Sequence, residues 1–179
     1  MKDFDFQIGI IKNKNSDSLD IDIFYQTDKW DFTKKSINIS NNEVKKNKNL
    51  YLIDISNLSG IDIIKKVAKT VRTAVEDNIG TGTQLSGYCI LISELIATIL
   101  KDLGFNATTV EGWCSYDDPY YGSSRSYDEH TWVEVDDLYI DVSADQFNAG
   151  MDYDNKYPDI IIQKGLPHNM SYEEPEEED

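Results

Sequence analysis

The chain of 179 residues holds two cysteines and two histidines, the side chains best suited to nucleophilic and proton-transfer chemistry. A thiol attacks carbonyl carbon as the thiolate, and free cysteine titrates near 8.5, so a reactive cysteine needs surroundings that favour the anion. Cys89 has such a setting. It opens a run with apolar residues at 88, 91, 92, 95, 96, 99, 100 and 103, a wide helical stripe. The oriented N–H groups of a helix's first turn lower a thiol's pKa. Ser86 is the expected N-cap, and Gly104 stands where a C′ glycine ends a helix. Gly87, two residues before the cysteine, lets backbone or substrate approach the sulfur. Cys114 follows Trp113 on an expected strand and reads as packing.

A thiolate also needs a partner that holds it ionised and passes a proton to the leaving group, most often histidine. His168 lies in a Gly/Pro-flanked segment near the acidic tail, whereas His130 starts a strand after a long polar loop. HTWVEV at 130–135 and LYIDVS at 138–143 are short alternating runs separated by Asp136-Asp137, a hairpin pattern. A two-residue turn there sets His130 opposite Ser143 and Trp132 opposite Asp141. Side chains alternate along strands, so His130, Trp132, Asp141 and Ser143 then share one face. Asp141 is a diagonal neighbour of His130, placed to fix its tautomer and stabilise the imidazolium. A turn of three residues would break this parity.

Other elements must position these three. Residues 4–10, 19–26, 36–39 and 50–56 carry partial alternation and β-branched residues and read as strands. The Asn/Lys/Ser-rich stretches 12–18 and 40–49 read as loops. Residues 61–78 carry a helical apolar stripe with Lys and Arg opposite. The segment 80–87 reads as a loop, 107–114 as a strand, 116–128 as a polar loop and 158–163 as a last strand. Residues 171–179, SYEEPEEED, have no apolar pattern and read as a disordered tail.

The formal charge of −16 is unevenly spread: 13 of the 17 Lys and Arg lie in residues 1–80, and 21 of the 33 Asp and Glu lie in residues 81–179. An acidic half repels phosphate backbones, so nucleic acid is not an expected partner. No apolar run is long enough to span a membrane, and MKDFDFQIGI has acids where a signal peptide would be apolar, so a cytoplasmic location is expected. There the two cysteines would be reduced. The residues have neither Cys/His metal-ligand spacing nor a Gly-rich phosphate loop, and no cofactor is expected.

SGYCILISELIATILKDLGFNATTVEG followed by HTWVEVDDLYIDVSADQF resembles the transglutaminase-like branch of the papain-like cysteine protease superfamily. The shared pattern is G-x-C opening a helix, a strand ending in Gly, H-x-W-V-E-V, a short turn and a strand ending in Asp, over roughly residues 84–147. The resemblance implies an α+β fold with the Cys-bearing helix packed on an antiparallel sheet. It carries the nucleophile to Cys89, the base to His130 and the orienting acid to Asp141. Residues 61–168 would form the catalytic core, 1–60 a β-rich region of the same domain and 169–179 the tail. The oxyanion donors would be the Cys89 N–H with Gln84 or Tyr88, of which Gln84, five residues before the cysteine, is preferred. From their place in the loop before His130, and not from the resemblance, Tyr120 and Tyr121, with Tyr116 and Tyr127, are expected to wall the site, and Trp132 to contact substrate. The R-G-G-x-C sequence of arylamine acetyltransferases is absent.

Two functions follow. One is a thiol enzyme acting on amides of a protein or peptide through a thioester, as peptidase, deamidase or transglutaminase-like transferase. The other is a non-catalytic binding protein on the same scaffold, its acidic half recognising a basic protein or peptide. The oligomeric state is left open by the residues.

Overall fold

The computed structural model describes residues 4–117, 125–151 and 153–173. The alternating apolar residues of the first third build a four-stranded sheet from β1 (Gln7–Lys14), β2 (Ser18–Gln26), β3 (Phe32–Ser40) and β4 (Leu50–Asp54), in the order β3-β2-β1-β4. β1 pairs antiparallel with β2 and parallel with β4. Both faces are apolar. Ile8, Ile10, Phe24 and Ile53 enter the main core, while Ile11, Leu19, Ile21, Ile23 and Leu50 form a separate cluster against Val44.

Val44 belongs to α1 (Asn41–Lys46), a short helix inside the stretch expected to be a loop. A capping box explains it: Ser40 accepts from the Glu43 N–H, and the Glu43 carboxylate accepts from the Ser40 N–H. Six residues suffice because Val44 has an apolar face to cover.

Two longer helices follow, α2 (Ile61–Asn78) and α3 (Cys89–Asp102). A 3₁₀ turn at Gly82–Leu85 lies between them. The apolar stripe of α3 buries Leu91, Ile92, Leu95, Ile96, Ile99 and Leu100, each worth about 1.5–3 kcal/mol. Gly104 has φ +88, the left-handed conformation a helix stop requires. The expected Ser86 cap is not formed: Ser86 donates to the Thr83 carbonyl inside the 3₁₀ turn, and Tyr88 occupies the cap position.

The second sheet runs β8-β7-β6-β5-β9, with β5 (Ala107–Asp117), β6 (Arg125–Val135), β7 (Leu138–Asp141), β8 (Ile161–Lys164) and β9 (Met170–Ser171). All its pairs are antiparallel. The β6–β7 hairpin has the two-residue turn read from Asp136-Asp137, pairing Val133 with Ile140 and Val135 with Leu138; Asp136 takes φ 54. One face of the sheet buries Ala107, Val133, Val135, Ile140 and Val142 in the core shared by α2, α3 and the first sheet. The other face packs Cys114, Trp132, Tyr139 and Phe147 with Tyr157, Ile161 and Met170. The architecture is α+β, with residues 4–53 contributing to the same core as the helices.

Ordered structure reaches further toward the C-terminus than expected, because Ser171 pairs with Trp113 and Met170 with Cys114 on the edge of β5. The strands flanking the polar loop are also longer, to 117 and from 125. Among the described residues no helix is long and apolar enough to cross a membrane.

Candidate active site

Cys89 is the first residue of α3, where backbone N–H groups lack intrahelical acceptors, and the Tyr88 side chain does not cap them. Ser93, one turn further, donates to the Thr131 carbonyl at 2.9 Å and fixes the helix start against β6, beside His130. The thiol is buried, which alone would raise its pKa. The His130 imidazole, through a hydrogen bond and its charge, and the Thr131 N–H outweigh that burial and leave the thiol more acidic than free cysteine.

His130 is 1 % exposed. Its Nε2 lies 2.6 Å from Asp141 Oδ2, and the ring also hydrogen-bonds the Cys89 thiol. Burial disfavours the imidazolium, but the charge and hydrogen bond of Asp141, then Cys89, overcome it and raise the pKa to about 9. The two opposed shifts favour a thiolate–imidazolium pair.

Asp141 is saturated with donors. Oδ1 accepts the Ser143 N–H at 2.7 Å and the Ser143 hydroxyl at 2.9 Å; Oδ2 accepts the Tyr139 hydroxyl at 2.8 Å besides His130. Burial would raise its pKa, but the His130 charge and these donors hold it below the ordinary carboxylate value. The β6–β7 ladder ends at Val133–Ile140. Beyond it, the His130–Asp141 bond joins the two strands in place of main-chain pairing.

Cys89 and His130 open on a cleft of about 960 Å³. Trp30, Trp113, Tyr116, Tyr127, Phe147 and Tyr172 supply aromatic walls, and Glu111, Asp128 and Glu129 supply carboxylates. Phe147 meets the His130 ring edge-on, with centroids 5.1 Å apart at 87°. Gln146, from the 3₁₀ segment Ala144–Gly150, places its amide nitrogen 3.2 Å from His130 Nδ1. Gln146 and Phe147 lie in the SADQF stretch just after Asp141, where the residue types alone mark no site role. Trp30 comes from the N-terminal sheet region, where no chemical motif marks it.

The other expected residues go elsewhere. Gln84 does not line the cleft: its amide oxygen accepts the Thr81 N–H at 3.1 Å, closing the 3₁₀ turn. Tyr88 stacks on Phe4, centroids 6.3 Å apart, against the main core. Trp132 is fully buried, packed on Tyr139 and donating to Glu134 at 3.0 Å, so it backs His130 rather than facing the cleft. All three side chains are held by packing or local bonds that their spacing from Cys89 and His130 does not reveal. Tyr120 and Tyr121 lie outside the described residues. Cys114 packs in the second cluster, and its burial pushes the thiol up to about 12.

Among the described residues no group of three or more His, Cys, Asp or Glu is placed to hold a metal ion. No protein-family model, curated protein or solved structure matches this chain.

Chemically, the arrangement has a thiol more acidic than free cysteine at a helix start, beside an imidazole with one nitrogen committed to a carboxylate. It offers what nucleophilic attack on a carbonyl needs.

Proposed function

We propose that the protein is a thiol-dependent amide hydrolase or acyl transferase of the transglutaminase-like, papain-like type, acting on a protein or peptide. The observation that carries this reading is the His130 imidazole, tied at Nε2 to Asp141 at 2.6 Å and hydrogen-bonded to the Cys89 thiol. The Cys89 thiolate attacks the amide carbonyl carbon. The C–N bond breaks, the leaving amine takes the proton from His130 Nδ1, and a thioester remains on Cys89. Water or a second amine then adds to the thioester, giving its proton to Nδ1, and the C–S bond breaks to restore the thiolate–imidazolium pair. The N–H of Cys89 is the oxyanion donor.

The cleft walls suit an aromatic-lined peptide groove with a preference for neutral or basic residues, since three carboxylates line it. That feature also supports the second reading, a binding protein for a basic peptide with no turnover.

The deciding measurement is the rate of iodoacetamide alkylation of Cys89 against pH, in wild type and His130→Ala, with peptide mass spectrometry. A thiolate titrating well below about 8.5, and lost in the variant, supports the enzyme. An unreactive Cys89, or one indifferent to His130, removes it and leaves the binding protein.

A further inference from the structure

Arg72 is a charged side chain that the reaction does not use, yet it is 3 % exposed in the middle of α2. Its guanidinium spans Asp145 bidentately, Nη1 to Oδ1 at 2.7 Å and Nη2 to Oδ2 at 2.8 Å. Nη1 also donates to the Val142 carbonyl at 2.7 Å, and Nε to Glu76 at 2.7 Å. The second oxygen of Asp145 accepts the Gly82 N–H at 3.0 Å.

The partners of this group are the neighbours of the site. Val142 follows Asp141, which orients His130. Asp145 precedes Gln146, whose amide touches His130 Nδ1. Gly82 starts the 3₁₀ turn that leads to Cys89, with the Tyr88 N–H donating back to the Leu85 carbonyl at 2.9 Å. Three backbone segments that carry nucleophile, base partner and acid are thus tied to one planar fork. A buried ion pair of this kind is replaceable by apolar packing without loss of stability in many proteins, so its presence is weak evidence of a stability role. Bidentate geometry instead fixes direction and distance, which a lysine's point charge does not.

We propose that Arg72 and Asp145 are positioning residues that set the Cys89–His130 geometry from behind. The proposal rests on the thiol-enzyme reading. Arg72→Lys keeps the charge and loses the fork; Asp145→Asn keeps the shape and an acceptor for Gly82. The test is the pH profile of Cys89 alkylation in both variants and wild type, with thermal unfolding recorded alongside.

The expected result is a thiolate midpoint displaced upward in both variants. A displacement of one pH unit lowers the alkylation rate below the midpoint about tenfold. Arg72→Lys should not restore the wild-type profile. Profiles that superimpose on wild type overturn the proposal, whatever the melting temperatures do, because a merely structural pair would change unfolding and leave the thiol's titration alone. If one variant fails to fold, the other decides. A wild-type Cys89 without a low midpoint fails the enzyme reading itself, an outcome distinct from a low midpoint that both variants retain.

Discussion

The carboxylate of Asp141 meets the imidazole of His130 at 2.6 Å across a point where β6 and β7 have stopped pairing. Ser143 and Tyr139 hold the other lone pairs of that carboxylate, so it has no freedom to turn away. Asp141→Asn keeps the shape but removes the charge that raises the His130 pKa. The thiolate midpoint of Cys89 should rise, and amide turnover should fall by about 10²–10⁴-fold. Alkylation profiles and turnover of an acyl probe check this; an unchanged midpoint would mean that the carboxylate does not act through the imidazole.

Acyl transfer needs both the thiolate and the imidazolium, so its rate should be bell-shaped in pH. The acid limb follows the lowered pKa of Cys89 and the alkaline limb lies near 9, where His130 loses its proton. Simple alkylation needs the thiolate alone and should keep its rate past pH 9. The same His130 shift contributes to folding: a pKa raised above the unfolded value of about 6.5 gives stability that is full below 6.5 and is lost as pH rises through about 9. Urea unfolding midpoints at pH 6 and pH 10, compared between wild type and His130→Ala, read that term.

The two cysteines should separate cleanly under limiting iodoacetamide near neutral pH. Cys89 should carry the label, and Cys114, with its thiol pushed up to about 12, should stay unmodified until the protein unfolds. Label on Cys114 in folded protein would show that the second cluster opens.

Charge in the cleft has its own readout. A cationic methanethiosulfonate should modify Cys89 faster than an anionic one of similar size, and the ratio should shrink in Glu111→Gln and Glu129→Gln and at high salt. Equal rates in wild type would show that the carboxylates do not set the field at the sulfur.

Gly112 pairs with His130 on β5, and a Cβ there would collide with the Trp132 ring and the Ser171 carbonyl. Gly112→Ala should cost about 1–3 kcal/mol in urea unfolding, since the neighbours are a buried indole and backbone rather than a flexible side-chain end. No loss would mean that β9 moves off the sheet without penalty.

The parts of this site that follow short-range rules were readable in the residues. Helical periodicity placed Cys89 at the start of α3, and the alternation around Asp136-Asp137 placed His130 and Asp141 on one face with the register that the hairpin has. What escaped depends on contacts between distant segments. Gln146 reaches His130 because the 3₁₀ segment after β7 packs on β5 and on the 3₁₀ turn before α3, and Trp30 arrives from the β2–β3 connection of the other sheet. Gln84 and Tyr88 sit near Cys89 in sequence, but one closes a 3₁₀ turn and the other stacks on Phe4. The helix at Asn41–Lys46 was hidden among polar residues, although its capping box was present in the letters S-N-N-E.

Phe4, Phe6 and Ile8 share one core with Leu95 and Val133. A fragment beginning at residue 61 would therefore not be a minimal catalytic unit awaiting a substrate. It would bare the apolar flanks of both long helices and lose Trp30 from the cleft. Dissection of this protein has to proceed by point substitution, because no cut between the sheets leaves two finished halves.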